Sequence, residues 1–362
     1  MTRTIALLLS FLGLAATTHA QVGDTTTVFT SGTERYHTFR IPAIVSTPNF
    51  LLAFCEGRLE SMSDSGDIDL VLKRSADGGK TWSNLSVVVH EDGFTCGNPA
   101  PIWDRETKEL VLVLTKNSAK AHEGRILTGE DSPRTVWITR SADEGVTWST
   151  PEDISPTTRR EDWRWYATGP CHGIQTQSGR LIIPANHSTS PDHKDWFSHV
   201  IYSDDHGKTW AIGGVHQGYT NESTIAELAD GRIYQNMRSY KKENRRRVSY
   251  SSDGGLTWSE DMTDSALIEP ICQGSTLRHK GPSGASRLLF SNPASTAREK
   301  MTLNVSTDGG ATWPESILIY DGPSAYSDLV SLPDGTVGCL YERGEAGAYE
   351  TIVLTTVTLP AP

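Results

Sequence analysis

The chain has 362 residues, with 33 Lys plus Arg against 44 Asp plus Glu, and a formal net charge of −11 at pH 7. That length allows one large domain or two ordinary ones, and the acidic balance argues against nucleic acid or an anionic membrane as the main partner. An anionic ligand would need positive charge concentrated in one pocket, because the overall field repels it.

At the N-terminus, Arg3 is the only charged residue before Asp24, an apolar run extends from Ile5 to Ala16, and Thr18-His19-Ala20 ends in a small residue. This is the order of a secretory signal peptide with cleavage near Ala20, and the run is shorter than the roughly 20 apolar residues of a membrane helix. Residues 1–20 are therefore expected to be a signal peptide and residues 21–362 a single domain, soluble and secreted or periplasmic. No later stretch is apolar enough for a membrane span.

Beyond it, short β-branched and aromatic runs dominate. Thr25–Phe29, Ile68–Lys73, Leu110–Leu114, Thr135–Thr139, Lys300–Val305, Asp328–Leu332 and Thr351–Leu359 read as strands. Between them one pattern recurs, Ser-x-Asp-x-Gly-x-Thr-Trp, at Ser75–Trp82, Ser141–Trp148, Ser203–Trp210, Ser251–Trp258 and Ser306–Trp313. Its aspartates Asp77, Asp143, Asp205, Asp253 and Asp308 are 66, 62, 48 and 55 residues apart. The chemistry is that of a hairpin turn: the Asp accepts backbone N–H bonds, the Gly supplies an unusual backbone angle, and Thr and Trp begin the next strand with the Trp packed beneath the turn. A four-stranded unit repeated at about 50 residues is a propeller blade. The expected fold is all-β, a six-bladed β-propeller, with Thr25–Phe29 pairing the last strand to close a blade that lacks a box. The boxes are expected to be structural, at the outer rim and away from a central pocket.

Cys55, Cys96, Cys171, Cys272 and Cys339 have neither CxxC nor metal spacing. They are expected to be buried small apolar residues, although one or two disulfides are open in an oxidising compartment. Arg245, Arg246 and Arg247 read as a solvated surface run. No metal site is expected, since the histidines form no HExxH pair and no EF-hand loop is present.

The repeated pattern resembles the Asp boxes of sialidases, and Phe39-Arg40-Ile41-Pro42, upstream of the first box, resembles the FRIP motif of bacterial and animal members. The resemblance covers nearly the whole chain after residue 20. It implies an exo-α-sialidase without cofactor, a glycoside hydrolase that removes terminal α-linked sialic acids from glycoproteins, glycolipids and oligosaccharides. It further implies retention through a covalent sialosyl-tyrosine.

A sialoside carries a carboxylate on its anomeric carbon, and arginine forks match a carboxylate. The resemblance assigns that role to Arg40, Arg238 and Arg298. An attacking carboxylate would be repelled by the substrate's charge, whereas a phenol relieved of its proton would not. The matching segment gives Tyr326 as nucleophile and Glu222 as its base. The acid/base is Asp64, in the loop after the Arg40 strand, with Asp67 the second candidate. Glu342 is placed as the carboxylate orienting Arg40, and Arg58 as an arginine near the sugar's ring hydroxyls. The aromatic segment Asp162–Pro170 either walls the N-acyl pocket or belongs to the core. Cys171 stands where many bacterial relatives have Gly.

Two other classes remain open on the residues. A propeller that binds sialylated or other glycans would need the boxes but no catalytic set. A transferase passing the sialosyl group to an acceptor glycan, a trans-sialidase, would share every residue named.

Overall fold

A computed structural model of the chain describes residues 19–281 and 284–360. The expected signal peptide lies, but for its last two residues, outside the described residues. Strands form four sheets in which neighbouring strands pair antiparallel with one exception, and the described helices are short, Glu123–Thr128, Ser155–Thr158 and a 3-10 turn at His193–Asp195. The fold is all-β. Among the described residues no helix is long and apolar enough to cross a membrane.

The seven-stranded sheet turns on one long strand, Glu315–Ser331. Its first half pairs with Glu299–Ser306 and its second half with Val337–Arg343. The eight-stranded sheet is likewise two antiparallel meanders, joined by a single parallel step between Ile68 and Thr95. The N-terminal strand Gln21–Thr30 pairs with the C-terminal strand Thr351–Thr358, with Thr26 opposite Leu354. The expected partnership of Thr25–Phe29 with the last strand is therefore present.

Runs such as Leu110–Leu114 are buried residue after residue, not alternately, because both faces of these strands are covered by neighbouring sheets. Leu52, Phe54, Leu70 and Leu72 of one meander pack on Leu110, Leu112 and Leu114 of the next. At the centre, the buried Asp328 carboxylate joins separate elements. It accepts from Ile44 N at 2.8 Å, His172 N at 3.0 Å, His172 Nδ1 at 2.7 Å and Ser275 Oγ at 2.7 Å. All five cysteines are buried and free.

The five boxes are near-identical turns. In each, the Asp Oδ1 accepts the Thr N–H at 2.8–2.9 Å and Oδ2 accepts the Thr hydroxyl at 2.6 Å. The Ser Oγ accepts the N–H of the Gly, which sits at positive φ. Trp82 and Trp210 fold back so that the indole N–H donates to Gly79 and Gly207 carbonyls. One expectation is corrected: Thr and Trp do not begin the next strand, which starts later, for example at Ser86 after Trp82. The reason is that the Thr N–H is bound to the aspartate and so cannot enter a ladder.

None of the five box aspartates lines the cavity described below. Asp143→Ala removes a carboxylate that accepts from Ser141, Val146 and Thr147. It is expected to cost about 1–2 kcal/mol of stability, read as a lower melting temperature, with the activity of the folded variant unchanged. Abolished activity in a stably folded variant would contradict the structural reading of the boxes.

Candidate active site

A cavity of about 350 Å³ opens where the sheets converge, and every residue proposed from sequence except Glu342 and the second acid/base candidate Asp67 lines it: Arg40, Arg58, Asp64, Glu222, Arg238, Arg298 and Tyr326. A volume near that figure suits one small ligand. Four strands carry a β-bulge beside it, at Arg40–Ala43, Gly97–Ala100, Thr220–Ser223 and Ser324–Ser327. A bulge re-aims side chains that strict alternation would send elsewhere. Ile41 (φ 62°) and Asn98 (φ 55°), both in bulges, adopt left-handed backbone that costs a non-glycine residue energy.

Tyr326 is the centre of the constellation. Its phenol donates to Glu222 Oε1 at 2.6 Å, and Arg238 Nη1 lies 2.7 Å from Glu222 Oε2 and 3.3 Å from the phenol oxygen. Burial, with the Glu222 charge adding to it, raises the Tyr326 phenol well above its ordinary pKa, against the opposing pull of Arg238 and Arg298. The phenol is thus neutral at rest, with a proton acceptor already in place. Arg40 and Arg298 flank the same ring, their guanidinium carbons 5.0 and 5.6 Å from its centroid.

Glu342 lies behind the cavity wall, fully buried. It accepts Arg40 Nε at 3.1 Å and Arg40 Nη2 at 3.3 Å, and also Ile41 N at 2.9 Å and Tyr326 N at 3.0 Å. One carboxylate therefore fixes both the first arginine and the backbone of the tyrosine. Arg298 differs from its two companions. Its Nη1 donates to the Tyr349 phenol at 2.5 Å, and it forms no ion pair among the described residues.

Of the loop carboxylates, only Asp64 reaches the cavity, 2.7 Å from Arg58 and 3.5 Å from Arg40. Burial opposes its charge, but Arg58 and then Arg40 outweigh that and hold its carboxyl below the usual carboxylate range. Asp67 instead accepts Gly93 N, and Asp69 is bound by Tyr36, Arg35 and His90. Arg58 is held by both Nε and Nη2 on Glu56 Oε2, at 3.0 and 2.7 Å.

Several cavity residues escaped sequence reasoning. Glu56 had a signal: it stands two residues from Arg58 on one strand, hence on the same face. Arg134 had none. It donates to Asn98 and Asn117, lies over the Trp165 ring at 4.3 Å, and burial lowers it to about 10. The Glu123 side chain, on the short helix Glu123–Thr128, makes no hydrogen bond among the described residues. Burial, with Asp64 adding to it, pushes its carboxyl up to about 7. Trp165 lines the cavity while Trp163 is core, stacked on His187 at 3.5 Å. Cys171 is buried behind the cavity wall.

The reading of Arg245–Arg247 as solvated is wrong for two of the three. Arg246 is completely buried, donating at 2.6 Å each to Asn236 Oδ1, Glu269 Oε2 and the Cys272 carbonyl, and Arg247 donates to the Asp261 carbonyl. Consecutive strand residues face opposite sides, and here both sides are covered.

The family described as a BNR repeat-like domain matches residues 49–339. A sialidase of Micromonospora viridifaciens is 34% identical over 340 residues, covering 88% of this chain and 52% of that protein. A sialidase of Bacteroides fragilis is 30% identical over 339 residues, covering 87% of this chain and 62% of that protein. The chain thus spans little more than half the length of these two bacterial relatives. Sialidase-2 of Cricetulus griseus is 30% identical over 374 residues, with 92% of this chain and 94% of that protein covered. Among solved structures, the Hadza microbial sialidase Hz136 superposes with a TM-score of 0.81 at 29% identity, over 90% of this chain and 66% of that one.

Proposed function

The chain belongs to the BNR-repeat sialidase family, and on that premise we propose that it is an exo-α-sialidase working with retention on a six-bladed β-propeller. The blade count is supported by the two large sheets, the eight-stranded one dividing into two four-stranded meanders and the seven-stranded one into two that share the strand Glu315–Ser331, beside two smaller sheets. The substrates are terminal α-linked sialic acids of glycoproteins, glycolipids and oligosaccharides. The single observation that carries the reading is a neutral, buried phenol hydrogen-bonded to a carboxylate at 2.6 Å and flanked by three arginines.

Arg40, Arg238 and Arg298 take the sugar's carboxylate. Asp64 protonates the glycosidic oxygen as that bond breaks. Tyr326 Oη forms the new bond to the anomeric carbon, and its proton passes to Glu222. Water then attacks from the face the aglycone left, losing a proton to Asp64. The Tyr326–carbon bond breaks, Glu222 returns its proton to the phenolate, and two inversions give net retention. Arg58, braced by Glu56, orients the ring hydroxyls. No step needs a metal or cofactor. The N-terminal segment directs the protein to the periplasm or the exterior.

At rest Arg58 and Arg40 favour the charged form of Asp64, and substrate weakens that hold. A bound carboxylate brings negative charge to Arg40, weakens the hold on Asp64 and raises its pKa towards the protonated form an acid needs. Activity is lost as pH rises through that pKa. The descending limb of kcat, set by the bound enzyme, is therefore expected at higher pH than that of kcat/KM, set by the free enzyme. Coincident limbs would remove substrate control of Asp64.

The reading is tested by incubating the purified protein with an α-sialyl oligosaccharide and with the matching asialo glycan. Free sialic acid from the first and no cleavage of the second is expected. Cleavage of the neutral glycan alone would overturn it.

A further inference from the structure

The loop carrying Asp64 has few anchors. Leu59 N donates to Asp67 O across its base, Gly66 exchanges hydrogen bonds with Thr95 Oγ1, and Arg58 Nη1 donates to Met62 O. Within the loop the serines bond mainly one another, Ser63 N to Ser61 Oγ and Ser65 N to Ser63 Oγ. Beyond the bonds at its base to Gly93 and Thr95, the loop reaches a further segment: Ser65 Oγ lies 2.6 Å from His122 Nδ1. Among the described residues this is the one hydrogen bond between the 59–67 loop and the segment at 119–134.

His122 occupies the N-cap position of the helix Glu123–Thr128, yet its side chain makes no capping bond. Its carbonyl accepts from Arg125 N and Ile126 N and its ring reaches across to Ser65, so the helix start presents the imidazole to the loop. The next residue is Glu123, which lines the same cavity as Asp64. Helix and loop thus meet at one bond, one residue away from each of the two carboxyls.

We propose that His122 is a positioning residue: its bond to Ser65 latches the acid loop to the helix Glu123–Thr128 and holds Asp64 at the mouth of the cavity, in reach of the leaving oxygen. This rests on the sialidase reading for the role of Asp64, although the latch itself does not. Arg58 holds the Asp64 carboxylate and the loop ends are anchored, but cutting the bond at Ser65 frees the segment beside Asp64 from the helix, and an acid out of place fails most where protonation matters most.

The test uses the full chain with His122→Ala, Ser65→Ala, the double variant and His122→Gln. It compares a galactosyl α-sialoside, whose leaving group needs a proton, with an aryl α-sialoside, whose leaving group needs little. Each single variant is expected to lose about tenfold in kcat/KM on the galactosyl substrate and less than about twofold on the aryl one. The double variant should be no worse than the singles, as for two ends of one contact, and His122→Gln should recover part of the loss. Amide exchange of residues 60–66 should quicken in His122→Ala. Equal losses on both substrates, or an unchanged substrate ratio, would overturn the positioning role. A wild type inactive on both sialosides would overturn the functional reading instead, and the exchange measurement would then decide the latch alone: faster exchange upholds it, unchanged exchange overturns it.

Discussion

Tyr326→Phe is expected to lower turnover at least about a thousandfold, because it removes the atom that forms the covalent bond. The substitution keeps the ring that Arg40 and Arg298 flank and removes only the hydroxyl, so the fold should survive. A fluorinated sialic acid that traps the wild type should leave this variant unlabelled. Two companion variants separate the proton transfers. With its pKa raised by burial, the phenol needs Glu222 at 2.6 Å to take its proton as it attacks. Glu222→Ala should therefore slow formation of the intermediate even for aryl leaving groups. Asp64→Ala should spare aryl substrates in that step and fail on sugar leaving groups. A label found on a carboxylate instead of Tyr326 would overturn the assignment of the nucleophile.

Arg298→Ala is the cleanest probe of carboxylate recognition. Arg40 neutralises the buried Glu342 and Arg238 neutralises Glu222, so removing either leaves a carboxylate uncompensated and confounds binding with folding. Arg298 is instead bonded to the Tyr349 phenol and pairs no carboxylate among the described residues. Its loss should cost about 2–3 kcal/mol of transition-state stabilisation, roughly 30- to 150-fold in kcat/KM. Arg298→Lys should recover little, because an ammonium lacks the fork. Unchanged kinetics in both variants would take Arg298 out of the site.

What could be read from sequence followed from where the chemistry is local. The boxes are legible because each is a closed circuit of Ser, Asp, Gly and Thr within a few residues. Phe39–Pro42 is legible as a motif because the bulge at Arg40–Ala43 is built by residues adjacent in the chain. Asp64 could be separated from Asp67 and Asp69 because those two lead directly into a strand. Arg134, Glu123 and Tyr349 were not legible, since each reaches the cavity only through the packing of separate sheets. Tyr349, for example, meets Arg298 across 51 residues. Arg246 misled because a basic triplet is usually solvated, and its partner Glu269 lies 23 residues away. The small helix Glu123–Thr128 was missed because six residues carry too little periodicity.

The central claim is attack by Tyr326 with retention of configuration. It is tested most directly by following the first turnovers of an α-sialoside by proton NMR, before the released sugar mutarotates. The α-anomer of free sialic acid should appear first and the β-anomer only as it equilibrates. The β-anomer as first product would mean a single displacement by water, and would contradict the tyrosine mechanism.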